Sequence, residues 1–383
     1  MSPRRTIVGR DPASAAGIAV TIADGRIAEI RAAEAPDDAA FIAPALVDLQ
    51  VNGYGGLDLN SPDLSIGLVA ELTDRLAALG TTCYQPTVIT ASEAAIIKAL
   101  QIIAEARRKL PRVKNAIPAV HVEGPHISPL DGARGAHPRD QVRPPDADEF
   151  ARWQEACDGL VGMVTLSPEY DEAPAYITAL AGQGIAVSLG HMAATAEQVR
   201  AAADAGARLS THLGNGAAAT LPRHPNFIWA QLADDRLTAS FISDGHHLPA
   251  DTFKAMLRAK GLDRAVLISD SVALAGMPPG LYDQPIGGQV EVMDNGRICV
   301  AGTPYLAGAG QPLAASVGLA MAAAGLPLAD ALRLATRNPG RFVGGRGTLD
   351  VGACADLMTF RLTSTNDLKI ESVLVAGEEV LLP

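Results

Sequence analysis

Three short apolar runs in this chain end on residues that a buried strand has no need of. Ala116-Ile117-Pro118-Ala119-Val120 leads through His121-Val122 to Glu123, and Gly124-Pro125 then breaks the run. Ile185-Ala186-Val187-Ser188-Leu189-Gly190 reaches His191, and Ala207-Arg208-Leu209-Ser210-Thr211 reaches His212. An ionised carboxylate at the end of a buried strand is costly unless something offsets its charge. One carboxylate and two imidazoles, each at the end of its own strand, can converge on one divalent metal. Three protein ligands with a fourth position open to water is the pattern of a catalytic zinc site.

The rest of the chain supplies strands and helices in alternation. Ala45 to Val51, Thr81 to Val88, Ile117 to Val122, Leu160 to Leu166, Ile185 to Leu189, Arg208 to His212, Leu237 to Ser243 and Ala265 to Ser269 read as strands. Between them Leu64 to Leu79, Ser92 to Leu110, Asp146 to Cys157, Ala173 to Gln183, Thr195 to Ala205 and Asp251 to Ala259 have helical periodicity. Eight strands in β/α alternation predict a TIM-type (β/α)8 barrel, an α/β fold. The competing open doubly wound sheet lacks its Gly-x-Gly-x-x-Gly turn after the first strand.

The two ends of the chain differ from its middle. Gly17 to Val20 and Arg26 to Ile30 flank the hairpin signal Asp24-Gly25. Asp356 to Leu362 and Val373 to Val380 are strand-like, with a turn at Gly377. Neither end has core enough to stand alone. Residues 1–45 and 346–383 are therefore expected to form one small discontinuous β-sandwich domain beside a (β/α)8 barrel domain of residues 46–345. An inserted hairpin is expected at 283–303, turning at Asp294-Asn295-Gly296, and helices from about 311 to 337 lead back to the β domain.

In a barrel of this kind functional side chains sit at the C-terminal ends of strands. Gln50 and Asn52 end the first strand, Glu123 the third, His191 the fifth and His212 the sixth; Asp244 and His247 follow the seventh and Asp270 ends the eighth. Any one of these could cap a local helix or turn. Eight at the same end of one alternating pattern read as a site. Asp270, in Leu267-Ile268-Ser269-Asp270-Ser271, suits a general base that takes a proton from metal-activated water and returns it to a leaving group. His126, His137, His224 and His246 are read as surface or substrate contacts rather than ligands.

Composition closes off other classes. Of 383 residues 48% are hydrophobic and 19% charged, which marks a globular chain, and the net charge of −11 without a basic patch argues against a nucleic-acid partner. No apolar run reaches the roughly 18 residues of a membrane span, and Thr6-Ile7-Val8-Gly9 is too short for a signal-peptide core. Cys83, Cys157, Cys299 and Cys354 show no paired spacing, so reduced thiols and a cytoplasmic setting are expected.

Taken together, Leu46-Val47-Asp48-Leu49-Gln50-Val51-Asn52-Gly53, Gly80-Thr81-Thr82, His121-Val122-Glu123-Gly124-Pro125, Gly190-His191, Thr211-His212-Leu213-Gly214-Asn215, Asp244-Gly245-His246-His247 and Ser269-Asp270 give the chain a family likeness. Gly347-Thr348-Leu349 and Ala355-Asp356-Leu357 complete it. The sequence resembles the amidohydrolase superfamily and, within it, the branch of N-acetylglucosamine-6-phosphate deacetylases. The resemblance implies hydrolysis of an N-acetyl amide on a small amino-sugar substrate. Its metal ligands fall on Glu123, His191 and His212, and its acid/base on Asp270. It implies one divalent metal per subunit, zinc with ferrous iron as the alternative, because Gln50-Val51-Asn52 stands where many members carry a His-x-His pair for a second ion. It places substrate contacts at His137, Asn215, Gly216 and His247. It also implies a homodimer in which Arg223 reaches the neighbouring active site. Gly214-Asn215-Gly216-Ala217, the loop before Gly135-Ala136-His137 and the surroundings of Arg223 depart from the family pattern. These departures bear on the substrate and leave the metal chemistry intact. The alternatives on the same residues are another N-acetyl amino sugar, an N-acyl amino acid, or a non-catalytic barrel that binds a sugar phosphate.

Overall fold

The first barrel strand, β1 (Leu46–Val51), is buried along its whole length, because it faces the barrel axis on one side and helices on the other. The same holds for β2 (Thr81–Ile89), β3 (Val120–Glu123), β4 (Val161–Leu166), β5 (Ala186–Leu189), β6 (Leu209–Ser210), β7 (Thr238–Ile242) and β8 (Ala265–Ile268), which are buried almost throughout. The computed structural model describes residues 4–284, 288–303 and 305–380. The eight strands pair in sequence order, each parallel to the next. The ring closes where Val51 bridges Ser271 in parallel, and the Asp270 amide donates to the Gln50 carbonyl at 3.0 Å. All strand C-termini therefore open on one face, and β1 and β8 are neighbours there.

The helices form for local reasons. Glu93–Lys109 starts at Ser92, whose side chain accepts from Ala95 N, buries Ile96, Ala99, Leu100, Ile103 and Ala104, and ends on Arg107, Arg108 and Lys109. Ala196–Ala205 starts with a capping box between Thr195 and Gln198. The third strand begins later than its apolar run suggests. Pro111–Ala116 is a short helix with proline in its first turn, and Pro118 has no amide to give a ladder. A seven-residue helix, Phe227–Ala233, links β6 to β7 and is too short to show a period in the sequence. The sixth strand stops at Ser210 rather than His212, because His212 turns into the left-handed region at φ 30°.

The chain ends share one seven-stranded sheet. Phe41–Pro44 pairs antiparallel with Leu357–Leu362, which joins the N-terminal strands Arg5–Arg10, Gly17–Ala23 and Arg26–Ala32 to the C-terminal strands Leu368–Val375 and Glu378–Val380. Arg26 and Cys354 bridge and fold the sheet back on itself over a core of Val20, Ile22, Ile27, Ile42, Leu357 and Leu374. The α/β barrel with a terminal β-sandwich thus matches the expected fold. Arg5–Arg10 and Phe41–Pro44 are strands that the sequence pattern did not indicate, and the expected Val373–Val380 is two strands, Leu368–Val375 and Glu378–Val380, paired across the turn at Gly377. The insertion after β8 has three strands, Gly280–Gln284, Gly288–Val292 and Ile298–Val300, and its turn closes with Gly296 N donating to the Met293 carbonyl at 2.9 Å. Part of the expected hairpin, 285–287, lies outside the described residues.

Candidate active site and metal centre

Glu123, His191 and His212 meet at the open end of the barrel. Glu123 Oε1 lies 3.1 Å from His212 Nε2 and 3.5 Å from His191 Nε2, and the two Nε2 atoms are 3.0 Å apart. Ligands about 2.0–2.1 Å from a tetrahedral ion stand about 3.3 Å from one another, so these separations fit one ion. His191 Nδ1 donates to the Ala133 carbonyl at 3.0 Å, which leaves Nε2 as a bare lone pair and sets the ring's angle. Lone pairs facing each other across about 3 Å make electrostatic sense around a cation. These three side chains can hold a divalent metal. Burial pushes the Glu123 carboxyl up, but the imidazoles of His191 and His212 beside it outweigh burial and hold it well below the usual carboxylate range.

The backbone is bent to bring these groups inward. His191, His212 and Asp270 have φ of 49°, 30° and 49°, left-handed values that non-glycine residues rarely adopt. Such conformations persist where the surroundings over-determine them and concentrate at functional sites. Here each falls directly after a barrel strand and turns a polar side chain to the axis.

Asp270 is half-buried in the wall of the site. Its Oδ1 accepts from Gln50 Nε2 at 3.0 Å and from Asn52 Nδ2 at 2.8 Å. Burial, and then the charge of Glu123, push its carboxyl up to about 7. A carboxyl poised near neutrality beside a metal site is suited to give and take a proton.

A cavity of about 470 Å³ opens above these groups. It is lined by Glu123, His137, His191, His212, Asn215, Gly216, His247 and Asp270, so eight of the nine residues to which the family resemblance gives a role come together there, with Asn52 beside them. Arg223 does not; it is exposed on the loop before the Phe227–Ala233 helix. His137 Nδ1 is 2.8 Å from Thr90 Oγ1, and burial pushes its imidazole down to about 3, so the ring is neutral. His247 is aimed by Asp244: Oδ2 accepts from Nδ1 at 2.8 Å, and Oδ1 accepts from the amides of His246 and His247. His126 is neither a surface nor a substrate residue. It is a core histidine stacked on Trp153 with Tyr176 at its edge, and burial brings it down to about 4. His224 is exposed, and His246 Nε2 meets the Asn295 carbonyl at 3.2 Å.

Sequence reasoning missed Asp58 and Asn60, which line the cavity after β1. Their signal was the polar Asp58-Leu59-Asn60 beyond Gly55-Gly56, where no strand or helix pattern drew attention. It also missed the apolar wall of Val290 and Leu306 that the inserted sheet adds.

Residues 41–380 match the model of the amidohydrolase family, and the chain belongs to that family. It is 33% identical over 277 residues to the N-acetylglucosamine-6-phosphate deacetylase of Bacillus subtilis (strain 168), covering 72% of this chain and 68% of that one. It is equally 33% identical, over 335 residues, to the N-acetylgalactosamine-6-phosphate deacetylase of Escherichia coli O157:H7, covering 86% and 85%. Among solved structures it superposes with a TM-score of 0.84 and 32% identity on a variant of the N-acetyl-D-glucosamine-6-phosphate deacetylase of Mycobacterium smegmatis in complex with N-acetyl-D-glucosamine-6-phosphate, covering 95% of both chains.

Proposed function

We propose that this protein hydrolyses the N-acetyl group of N-acetylglucosamine 6-phosphate, giving glucosamine 6-phosphate and acetate. The observation that carries the reading is the convergence of Glu123, His191 and His212 within 3.5 Å of one another, with Asp270 tied to Glu123 through one amide. The named relatives supply the substrate class. Zinc is the metal of choice for two imidazoles and a carboxylate, with ferrous iron as the alternative. When bound, it supplies a Lewis acid for the amide carbonyl and lowers the pKa of water at the site.

The protein's own groups do the rest. Asp270 takes the proton of the attacking water as its oxygen bonds to the carbonyl carbon. It then delivers that proton to the nitrogen as the C–N bond breaks. We assign His137 Nε2–H as the donor to the oxygen that gains charge, which requires the Thr90 hydroxyl to give its proton to His137 Nδ1, at 2.8 Å, rather than to the Glu123 carbonyl, at 3.4 Å. Asn215, Gly216 and His247 line the side of the cavity assigned to the sugar phosphate. Exposed Arg223 is assigned to the cavity of a second subunit, in a homodimer, where its guanidinium suits bidentate contact with phosphate. Residues 1–45 with 346–383, and 46–345, are taken as the two domains. Four free cysteines support a cytoplasmic setting, and no described helix is long and apolar enough to cross a membrane.

The Escherichia coli relative favours one second reading, N-acetylgalactosamine 6-phosphate on the same site. Acetate release by metal-replete protein decides, with both phosphorylated sugars and unphosphorylated N-acetylglucosamine side by side. Turnover of the first sugar above the other two supports the proposal. Turnover of the galactosamine compound alone replaces it, and activity on none of the three overturns the substrate assignment.

A further inference from the structure

Three loops at the mouth of the barrel meet on one carboxylate that takes no part in the chemistry above. Glu169 lies in the loop after β4. Its Oε1 accepts from Ser128 Oγ, in the loop after β3, at 2.9 Å. Its Oε2 accepts from Ser167 Oγ, in its own loop, at 2.8 Å, and from the Ala193 amide, in the loop after β5, at 2.8 Å. Both serines are fully buried. The donors are two hydroxyls and one amide, all neutral, so what the carboxylate gains here is geometry rather than an ion pair.

The geometry is specific to His191. Ala193 lies two residues beyond that ligand, and the Ser128 amide donates to the His191 carbonyl at 2.9 Å. The ligand's strained backbone, at φ 49°, is therefore gripped from both sides by groups that Glu169 holds. The same loop after β3 supplies the Ala133 carbonyl that fixes the His191 ring. A carboxylate has acceptors enough for all three donors. Removal strands two buried hydroxyls and a backbone amide at once, and the three loops lose their common anchor.

We propose that Glu169 is a positioning residue for the metal centre, fastening the loops after β3, β4 and β5 so that His191 keeps its aim. The inference rests on the reading of Glu123, His191 and His212 as metal ligands. Outer partners of ligating histidines typically change metal affinity by about 10–100-fold when lost.

The test is the zinc dissociation constant of the full chain, measured by competition with a chromophoric chelator. Thermal unfolding of the metal-free protein is followed in parallel, for wild type, Glu169→Ala and Glu169→Gln. Glu169→Ala is expected to bind zinc about 10–100-fold more weakly. Glu169→Gln, which keeps the shape and one acceptor oxygen, should fall between it and wild type. A folded Glu169→Ala protein whose affinity stays within about twofold of wild type overturns the proposal, even if its metal-free form melts earlier. If Glu169→Ala does not fold, Glu169→Gln and Ser128→Ala carry the test: weaker zinc binding by both supports the proposal, and unchanged binding overturns it. Wild-type protein that takes up no zinc defeats the metal reading itself, and the inference with it.

Discussion

Gln50 Nε2 stands 3.0 Å from Glu123 Oε1 and 3.0 Å from Asp270 Oδ1, so one side-chain amide joins a candidate metal ligand to the candidate acid/base. Asn52 Nδ2 adds a second donor to the same Asp270 oxygen. At this place the barrel presents N–H donors to two carboxylates rather than lone pairs to a second cation. The closure of the ring explains the proximity, since Gln50 and Asp270 end neighbouring strands and the Asp270 amide donates to the Gln50 carbonyl.

Gln50→Met keeps the length of that side chain and deletes both hydrogen bonds. At saturating zinc the metal content should remain near one per chain, because Glu123, His191 and His212 all stay, while the lost bond from Gln50 to Glu123 should weaken zinc affinity by up to about 10–100-fold. Turnover should fall by about 10–100-fold, since a carboxyl held loosely spends less time in the reactive geometry. Metal analysis together with kcat and KM checks this, and unchanged kcat would show that Asp270 is held well enough without the amide.

Asp270→Asn is nearly isosteric and keeps an oxygen to accept from Gln50 and Asn52. The variant should fold, take up metal, and lose at least about 10²–10⁴-fold in kcat, the usual contribution of a general acid/base. Retained activity would remove Asp270 from the mechanism.

Stripping the metal should act on stability as well as activity. Without a cation, Glu123 and two imidazole nitrogens crowd within 3.5 Å of each other in a buried site. A ligand that binds only the folded state stabilises it by about 4 kcal/mol at a thousand times its dissociation constant. Melting curves taken with chelator and with added zinc should therefore separate by several degrees. Coincident curves would mean the three residues do not bind the ion.

How far the sequence went is clearest at particular positions. Glu123, His191 and His212 were legible because apolar strands rarely end in such residues, and a barrel sends every strand end to one face. Asp270 was legible for the same reason. The left-handed turn that ends β6 at Ser210 was not, because no pattern in Ser210-Thr211-His212 marks a backbone reversal. Glu169 was invisible in Ser167-Pro168-Glu169-Tyr170, an ordinary polar loop, since its three donors come from segments as far as 41 residues away. Phe41–Pro44 was hidden because its main partner, Leu357–Leu362, is more than 300 residues away, and Arg5–Arg10, although it pairs with the next strand Gly17–Ala23, because it buries only Gly9 and so shows no apolar alternation.

If Arg223 serves the neighbouring subunit, two impaired proteins should repair each other. Arg223→Ala alone should raise KM for a phosphorylated substrate by at least about tenfold and leave the fold intact, because the residue is exposed. Mixed with Asp270→Asn and allowed to exchange subunits, it would form hybrids in which one site has both an intact Asp270 and an intact Arg223. With random pairing, on the order of a quarter of the wild-type sites should return. Assays at low substrate before and after exchange would show the recovery, and its absence would place Arg223 outside any shared site.

Asp244 gives a pH dependence whose sign can be worked out. Burial pushes its carboxyl up, but the hydrogen bond and charge of His247, with the amides of His246 and His247, outweigh burial and bring it down to about 2 from an ordinary 3.8. A carboxyl whose pKa is lower folded than unfolded binds fewer protons in the native state, so its stabilisation is present above the unfolded value and lost as pH falls through the folded one. The shift corresponds to roughly 2 kcal/mol. Asp244→Asn should therefore melt below wild type at pH 5 to 6, with the gap narrowing between pH 4 and pH 2. Unfolding of both proteins across that range reads the difference directly, and the common acid titration of the other carboxylates cancels in it. Because Asp244 also sets the angle of His247, the same variant should raise KM at neutral pH. A gap that stays constant down to pH 2 would mean that Asp244 acts through shape alone, without its charge.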